Sequence, residues 1–135
     1  MAVGLFCLAA CGPEEKVAKN GLTGLPLLVS SWENGHLQGA YTRYREDGSQ
    51  WQTGAWKDGL RDGRWTTFSE SGAPEVVEEW ERGVRVGTWR SYHPDGTLQS
   101  EGGHEAGVKH GPWNYFAPDG SPKATEVWEY GTRRR

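Results

Sequence analysis

The chain has 135 residues, of which 35% are hydrophobic, and a formal charge of −3. That is the length of one domain, and the lack of a basic excess argues against nucleic acid as a partner. Its 20 glycines and 8 tryptophans exceed ordinary usage, and a fixed internal period accounts for most of both.

In chain order, residues 1–11 read Met-Ala-Val-Gly-Leu-Phe-Cys-Leu-Ala-Ala-Cys. An apolar run ending in small residues has the shape of a secretory signal and is too short for a membrane span. Leu8-Ala9-Ala10-Cys11 is similar to a bacterial lipobox, although no Lys or Arg precedes the run. The resemblance implies cleavage before Cys11, lipid on Cys11 and, with Gly12 next, passage to the outer membrane. Cys7 and Cys11 are the only cysteines, so the rest of the chain has no disulfide framework and no cysteine metal site. Residues 12–26 mix Gly, Pro, Glu and Lys without periodicity and are expected to be a flexible tether. Pro26 to Trp32 then reads as a first strand that caps the N-terminal edge of the sheet.

From residue 27 to 131 the sequence repeats every 24 residues without insertion or loss. Glycine columns run through Gly39, Gly63, Gly87 and Gly111, through Gly35, Gly59, Gly83, Gly107 and Gly131, and through Gly48, Gly72, Gly96 and Gly120. Aromatic columns run through Tyr41, Trp65, Trp89 and Trp113, through Tyr44, Phe68, Tyr92 and Phe116, and through Trp32, Trp56, Trp80, His104 and Trp128. A 24-residue unit with two glycine-marked turns holds two short strands, not two helices. Asp47-Gly48, Asp95-Gly96 and Asp119-Gly120 are expected as two-residue hairpin turns, with Ser71-Gly72 as the weaker copy. A four-residue loop is expected from Gly83 to Val86. This register sets Phe68 opposite Glu75, Gly63 opposite Trp80, Trp80 opposite Trp89, Trp56 opposite Trp65, Trp32 opposite Tyr41 and His104 opposite Trp113. The fold class is therefore all-β, an elongated single-layer antiparallel meander with aromatic side chains on both faces, growing by about 9.6 Å per unit.

The pattern Gly-x-Trp-x-x-Tyr-x-x-Asp-Gly followed by Trp-x-x-Gly-x-x-x-Gly resembles the MORN repeat, from Trp32 to Gly131. It is closest to the bacterial variant of secreted or lipid-anchored proteins and of YwqK-type antitoxins. The resemblance implies four repeats plus a leading half. Departures are His104 in a tryptophan column, Ser71 in the aspartate column and Gly102-Gly103 within a strand. Residues 132–135, Thr-Arg-Arg-Arg, form a short basic tail suited to guarding a sheet edge.

Candidate chemistry is sparse. There is no Gly-x-Ser-x-Gly elbow and no phosphate-cradling loop. The histidines His36, His93, His104 and His110 occupy different phases of the repeat, and His104, His110 and Glu105 lack the spacing of a metal site. Glu78, Glu79 and Glu81 read as a solvated strand. A single sheet offers little concavity for catalysis, so neither enzyme activity nor a cofactor is expected. Two surfaces stand out. The face bearing Trp56, Trp65, Trp80, Trp89 and Trp113 is expected to bind a partner. Arg61, Arg85, Lys109 and Arg133 form a basic column along one long edge, facing Asp47, Asp95 and Asp119 at the other. The expected function is non-enzymatic presentation of a binding surface to a partner protein at the cell envelope, anchored through Cys11. The alternatives are a cell-wall glycan-binding module and a cytoplasmic YwqK-type antitoxin.

Overall fold

The computed structural model describes residues 14–135. The strands are β1 (Glu14–Lys19), β2 (Pro26–Glu33), β3 (His36–Tyr44), β4 (Gln50–Lys57), β5 (Leu60–Phe68) and β6 (Pro74–Glu81). They continue as β7 (Val84–Tyr92), β8 (Leu98–Glu105), β9 (Val108–Phe116), β10 (Pro122–Glu129) and β11 (Thr132–Arg133). All 11 lie in one sheet in sequence order, and every pairing is antiparallel. The protein is an open meander of hairpins about 48 Å across its ten inter-strand steps.

Two kinds of turn alternate along the two margins. At one margin the turn residues are Asn34-Gly35, Asp58-Gly59, Arg82-Gly83, Ala106-Gly107 and Tyr130-Gly131, and both members of every pair have positive φ. That is the type I′ hairpin, whose twist matches the strands it joins. These turns, not Asp47-Gly48, Asp95-Gly96 and Asp119-Gly120, are the two-residue ones, and the four-residue loop expected from Gly83 to Val86 does not form. At the other margin, Arg45 N donates to Ser49 O at 2.8 Å and Gly48 N to Arg45 O at 3.0 Å, while only the glycine has positive φ. This is a type I turn closed by a left-handed glycine. The same bonds recur at residues 69–73, 93–97 and 117–121.

Moving the centre of the tight turn from between residues 84 and 85 to between 82 and 83 corrects the register. Gly63 does lie opposite Trp80, but Phe68 faces Pro74, not Glu75. Trp80 faces Arg85, Trp56 faces Arg61, His104 faces Lys109 and Trp32 faces Leu37, so the expected aromatic pairs across this turn are not cross-strand partners. The ladder slips near Gly39, Gly63, Gly87 and Gly111, each at positive φ. Such bulges bend the strand and re-aim its side chains.

The stretch expected to be a tether carries β1, which pairs with β2 from Glu14↔Trp32 to Lys19↔Pro26. Within residues 12–26 all the Gly and Pro lie at 12–13 and 21–26, so 14–20 is free to extend. Lys16 sits 4.6 Å over the Trp32 ring, and Asn20 Oδ1 caps the connection by accepting from Leu22 N and Thr23 N. β2 is thus covered by β1. The basic tail likewise contributes β11, with Arg134 N donating to Val127 O at 2.8 Å. Residues 1–11, with Cys11, lie outside the described residues.

Candidate binding face

The side chains on one face follow from the register. One row reads Ser30, Tyr41, Gly54, Trp65, Glu78, Trp89, Gly102, Trp113 and Glu126, through the pairs Ser30↔Tyr41, Tyr41↔Gly54, Trp65↔Glu78, Trp89↔Gly102, Gly102↔Trp113 and Glu126↔Trp113. The row alternates with a period of two units: Gly54 and Gly102 are 48 residues apart, as are Glu78 and Glu126. That alternation decides what each tryptophan does.

Where glycine stands, an indole lies flat on the backbone. Trp65 is 1% and Trp113 2% exposed, and a Cβ on Gly54 or Gly102 would fall inside the neighbouring indole. The ring nitrogens donate to Ala55 O and Gly103 O, both at 3.1 Å. Each buried ring removes roughly 200 Å² from water, worth about 5 kcal/mol. A second aromatic flanks the glycine from the other side: Tyr41 to Trp65 and Trp89 to Trp113, both at 5.2 Å between centroids. A third meets the buried ring edge-on: Trp56 to Trp65 at 5.2 Å and His104 to Trp113 at 5.3 Å.

Where glutamate stands, the carboxylate takes that place. Glu78 is buried at 8% exposure, not solvated as its strand suggested. Its Oε1 is 2.9 Å from Arg85 Nε, and its Oε2 accepts from Trp80 Nε1 at 3.3 Å. Glu126 repeats this with Arg133 at 2.9 Å and Trp128 Nε1 at 3.2 Å, and also accepts from Tyr115 Oη at 3.0 Å. The Arg133 and Tyr115 hydrogen bonds hold the Glu126 carboxyl below its ordinary pKa, whereas burial, then Glu126, pushes the Tyr115 phenol up. Trp56 has Gly54 two residues before it where Trp32, Trp80 and Trp128 have Ser30, Glu78 and Glu126, and its buried Nε1 has no partner.

The basic column is not a free edge. Arg61, Arg85, Lys109 and Arg133 are strand residues, directly opposite the aromatic column. Arg61 Cζ lies 4.1 Å from the Trp65 ring and 5.0 Å from Trp80, Arg85 Cζ 5.0 Å from Trp80, and Lys109 Nζ 3.9 Å from Trp113 and 4.7 Å from Trp128. The expected aromatic face and the expected basic edge are therefore one surface. Trp65 and Trp113 are its floor, so the ring area open to a partner comes from Trp56, Trp80 and Trp89, with Trp128 as a further member outside the expected set. The aspartates do lie in turns: Asp47, Asp95 and Asp119 each accept from the side chain and amide of Ser49, Thr97 or Ser121, bonds that lower their pKa.

Residues 85–104 are a MORN repeat variant. The matched MORN unit begins at the cation over Trp80 and ends at His104, so it contains one bulged strand, one type I turn and the return strand. MORN repeats suggest a repeat protein involved in binding, and the repeat is generally non-enzymatic. No match is found among curated proteins. Among the described residues no group of three or more His, Cys, Asp or Glu is placed to hold a metal ion. His104 and His110 point to opposite faces, because they pair with Lys109 and Gly103 at successive positions, and His110 is occupied with Glu105 at 3.5 Å and Tyr130 N at 3.4 Å.

Proposed function

We propose that this is a non-enzymatic scaffold whose tryptophan and cation face docks a partner protein at the bacterial cell envelope, with Cys11 as its lipid anchor. The observation that carries the proposal is that the open sheet covers neither face, yet one face concentrates aromatic rings and cations that hold one another in place. Aromatic and Arg side chains are the residue types that dominate protein interfaces, and here their rotamers are fixed before contact, which lowers the ordering cost of binding. The envelope location rests on Leu8-Ala9-Ala10-Cys11 and the apolar run before it.

The test is expression from the native upstream region in the native host, comparing the parent with Cys11→Ser and with Trp80→Ala. The expected result is lipid mass and membrane partitioning that Cys11→Ser lacks, and an envelope protein crosslinked to the parent but not to Trp80→Ala. A chain that stays soluble and unprocessed, crosslinking to the product of a neighbouring gene, would replace this reading with the antitoxin one.

A further inference from the structure

The sheet separates charge between its two faces. Directly opposed residues share a face and successive residues alternate. On the face of Trp65 and Trp113, the front, the paired residues of β2 to β11 therefore include Arg43, Arg61, Arg85, Lys109 and Arg133 against only Glu78 and Glu126. Glu78 and Glu126 neutralise Arg85 and Arg133, whereas among the described residues Arg61 and Lys109 have no carboxylate partner. The back is acidic. Glu33, Glu81, Glu105 and Glu129 recur there at the tight-turn margin, with Lys57 in the second place of the column. Asp62, Glu79 and Glu101 add to them, and Arg64 and Arg90 are the other back cations. Glu75 and Lys123 fall at ladder slips and cancel.

The two faces carry the same spacing. Arg61 and Lys109 are 48 residues apart, and so are Glu33 and Glu81, the two members of the acidic column that make no ion pair among the described residues. Glu105 and Glu129 are taken by His110 and Arg134. Forty-eight residues are four inter-strand steps, about 19 Å. Lay one copy over another, back on front and displaced by one 24-residue unit. Glu33 and Glu81 of the second copy then come within one residue and one strand of Arg61 and Lys109, both at once. Lys57 of the second copy falls on the Glu78–Arg85 pair, which is already neutral. The same stagger sets Lys19 against Arg43, both exposed at the far margin, where water and salt screen them.

We infer that the front binds the back of a second copy of this chain, staggered by one repeat. The inference rests on the reading of the front as a docking surface and names a second copy as an occupant of it. Identical sheets share one twist, so a translated copy nests at the ~10 Å spacing of stacked sheets. The back meets the indoles with a row of short β-branched side chains, Val29↔Thr42↔Thr53↔Thr66↔Val77. After the stagger the overlap is about 38 Å by ~26 Å of strand, about 1,000 Å² per copy, where a standard interface buries about 800 Å² per partner. A front-on-back contact does not close on itself, so each added copy presents a fresh back and the assembly grows as an open stack. The front of the last copy stays open to the envelope partner.

The test is sedimentation velocity of the full chain over a wide concentration range, in low and in high salt. The expected result is a mean mass that climbs past the dimer as concentration rises and falls back in high salt. The pair Arg61→Glu and Lys109→Glu in one chain, and the pair Glu33→Lys and Glu81→Lys in another, should each weaken association at least about tenfold. Mixing the two variant chains should restore it, because each keeps the face that the other has lost. Thermal melting reports whether each variant is folded. If the first is not, the second decides alone, since Glu33 and Glu81 make no side-chain hydrogen bond or ion pair among the described residues. A chain that stays monomeric, a mass that stops at the dimer, or undiminished association of the Glu33→Lys, Glu81→Lys chain overturns the inference. So does a mixture of two folded variants no more associated than its components. An envelope protein crosslinked to the parent but not to Trp80→Ala, beside a chain that stays monomeric, overturns the stack and leaves the partner reading standing. A salt-sensitive stack with no envelope partner does the reverse.

Discussion

The unit built on Gly54 and the unit built on Glu78 carry the same columns and use them in opposite ways. In the first, a missing side chain lets Trp65 lie on bare backbone, and stability comes from apolar burial, with Arg61 resting on the ring. In the second, Glu78 fills that space, pairs with Arg85 and accepts from Trp80, and Trp89 stays half-buried. The pattern recurs at Gly102 and Glu126. Alternating a packed unit with an ion-paired one gives an open sheet two anchor points for its rings, Trp65 and Trp113, and leaves Trp89 half-buried between them. The same two-unit rhythm appears at the far margin, where Arg45 and His93 reach the carbonyls of Phe68 and Phe116 while their counterparts Ser69 and Ala117 are too short to do so.

The comparison breaks most visibly in its own column. Trp65→Ala should cost about 3–5 kcal/mol, as for other fully buried large side chains, whereas Trp89→Ala should cost about 1–2 kcal/mol because its ring is only partly removed from water. Urea unfolding of both measures this, and equal losses would erase the distinction between the units. Next in size, Glu78→Ala leaves Arg85 and the Trp80 indole without their acceptor and should cost about 1–3 kcal/mol. Glu126→Ala should cost less, since Arg133 is more exposed than Arg85, at 60% against 44%, and exposed pairs contribute about 0–1 kcal/mol. Thermal melts of the two variants side by side give the order.

A smaller effect lies at the tight turns. Ala106 holds a φ of 49°, a left-handed conformation that Asn tolerates far better than Ala. Ala106→Asn should raise stability by about 0.5–1 kcal/mol, read as a shift in the urea midpoint at constant slope.

The smallest expected effect concerns His104, which takes the place that Trp56 has in the equivalent cluster. Burial, then the Arg85 charge, holds its pKa below the ordinary 6.5, with Lys109 acting the same way and Glu78 opposing. The unfolded chain therefore takes up this proton first. Stability from this group is complete above about pH 6.5 and falls as the pH drops through that value toward the lower folded-state pKa. Melting at pH 7.5 and 5.5 should show a decline that His104→Trp reduces, and an equal decline in both proteins would assign it elsewhere.

Much of this was legible in the sequence. The 24-residue period, the strand content and the open meander followed from the glycine and aromatic columns, because a unit of that length admits little else. The register did not, for a local reason. Asn34-Gly35 and Asp58-Gly59 carry the type I′ signal, yet the other three such turns sit on Arg82-Gly83, Ala106-Gly107 and Tyr130-Gly131, whose first residues carry none, while the Asp-Gly pairs at 47–48, 95–96 and 119–120 close the other margin. The two-unit alternation was present in the letters at Gly54, Glu78, Gly102 and Glu126, but Gly102 reads as a defect until its indole is seen lying over it. The basic column was misplaced as an edge, since a shift of the turn moves it into the strands and onto the rings.

The most direct test of the alternating face is hydrogen exchange at the indole Nε1–H groups of the intact chain, followed by NMR. The account predicts strong protection for Trp65 and Trp113, whose donors are buried and bonded to backbone, and rapid exchange for Trp89 in the same column. Protection of Trp89 equal to that of Trp65 would contradict it, because Trp65, Trp89 and Trp113 would then be buried alike and the alternation along this column would be lost.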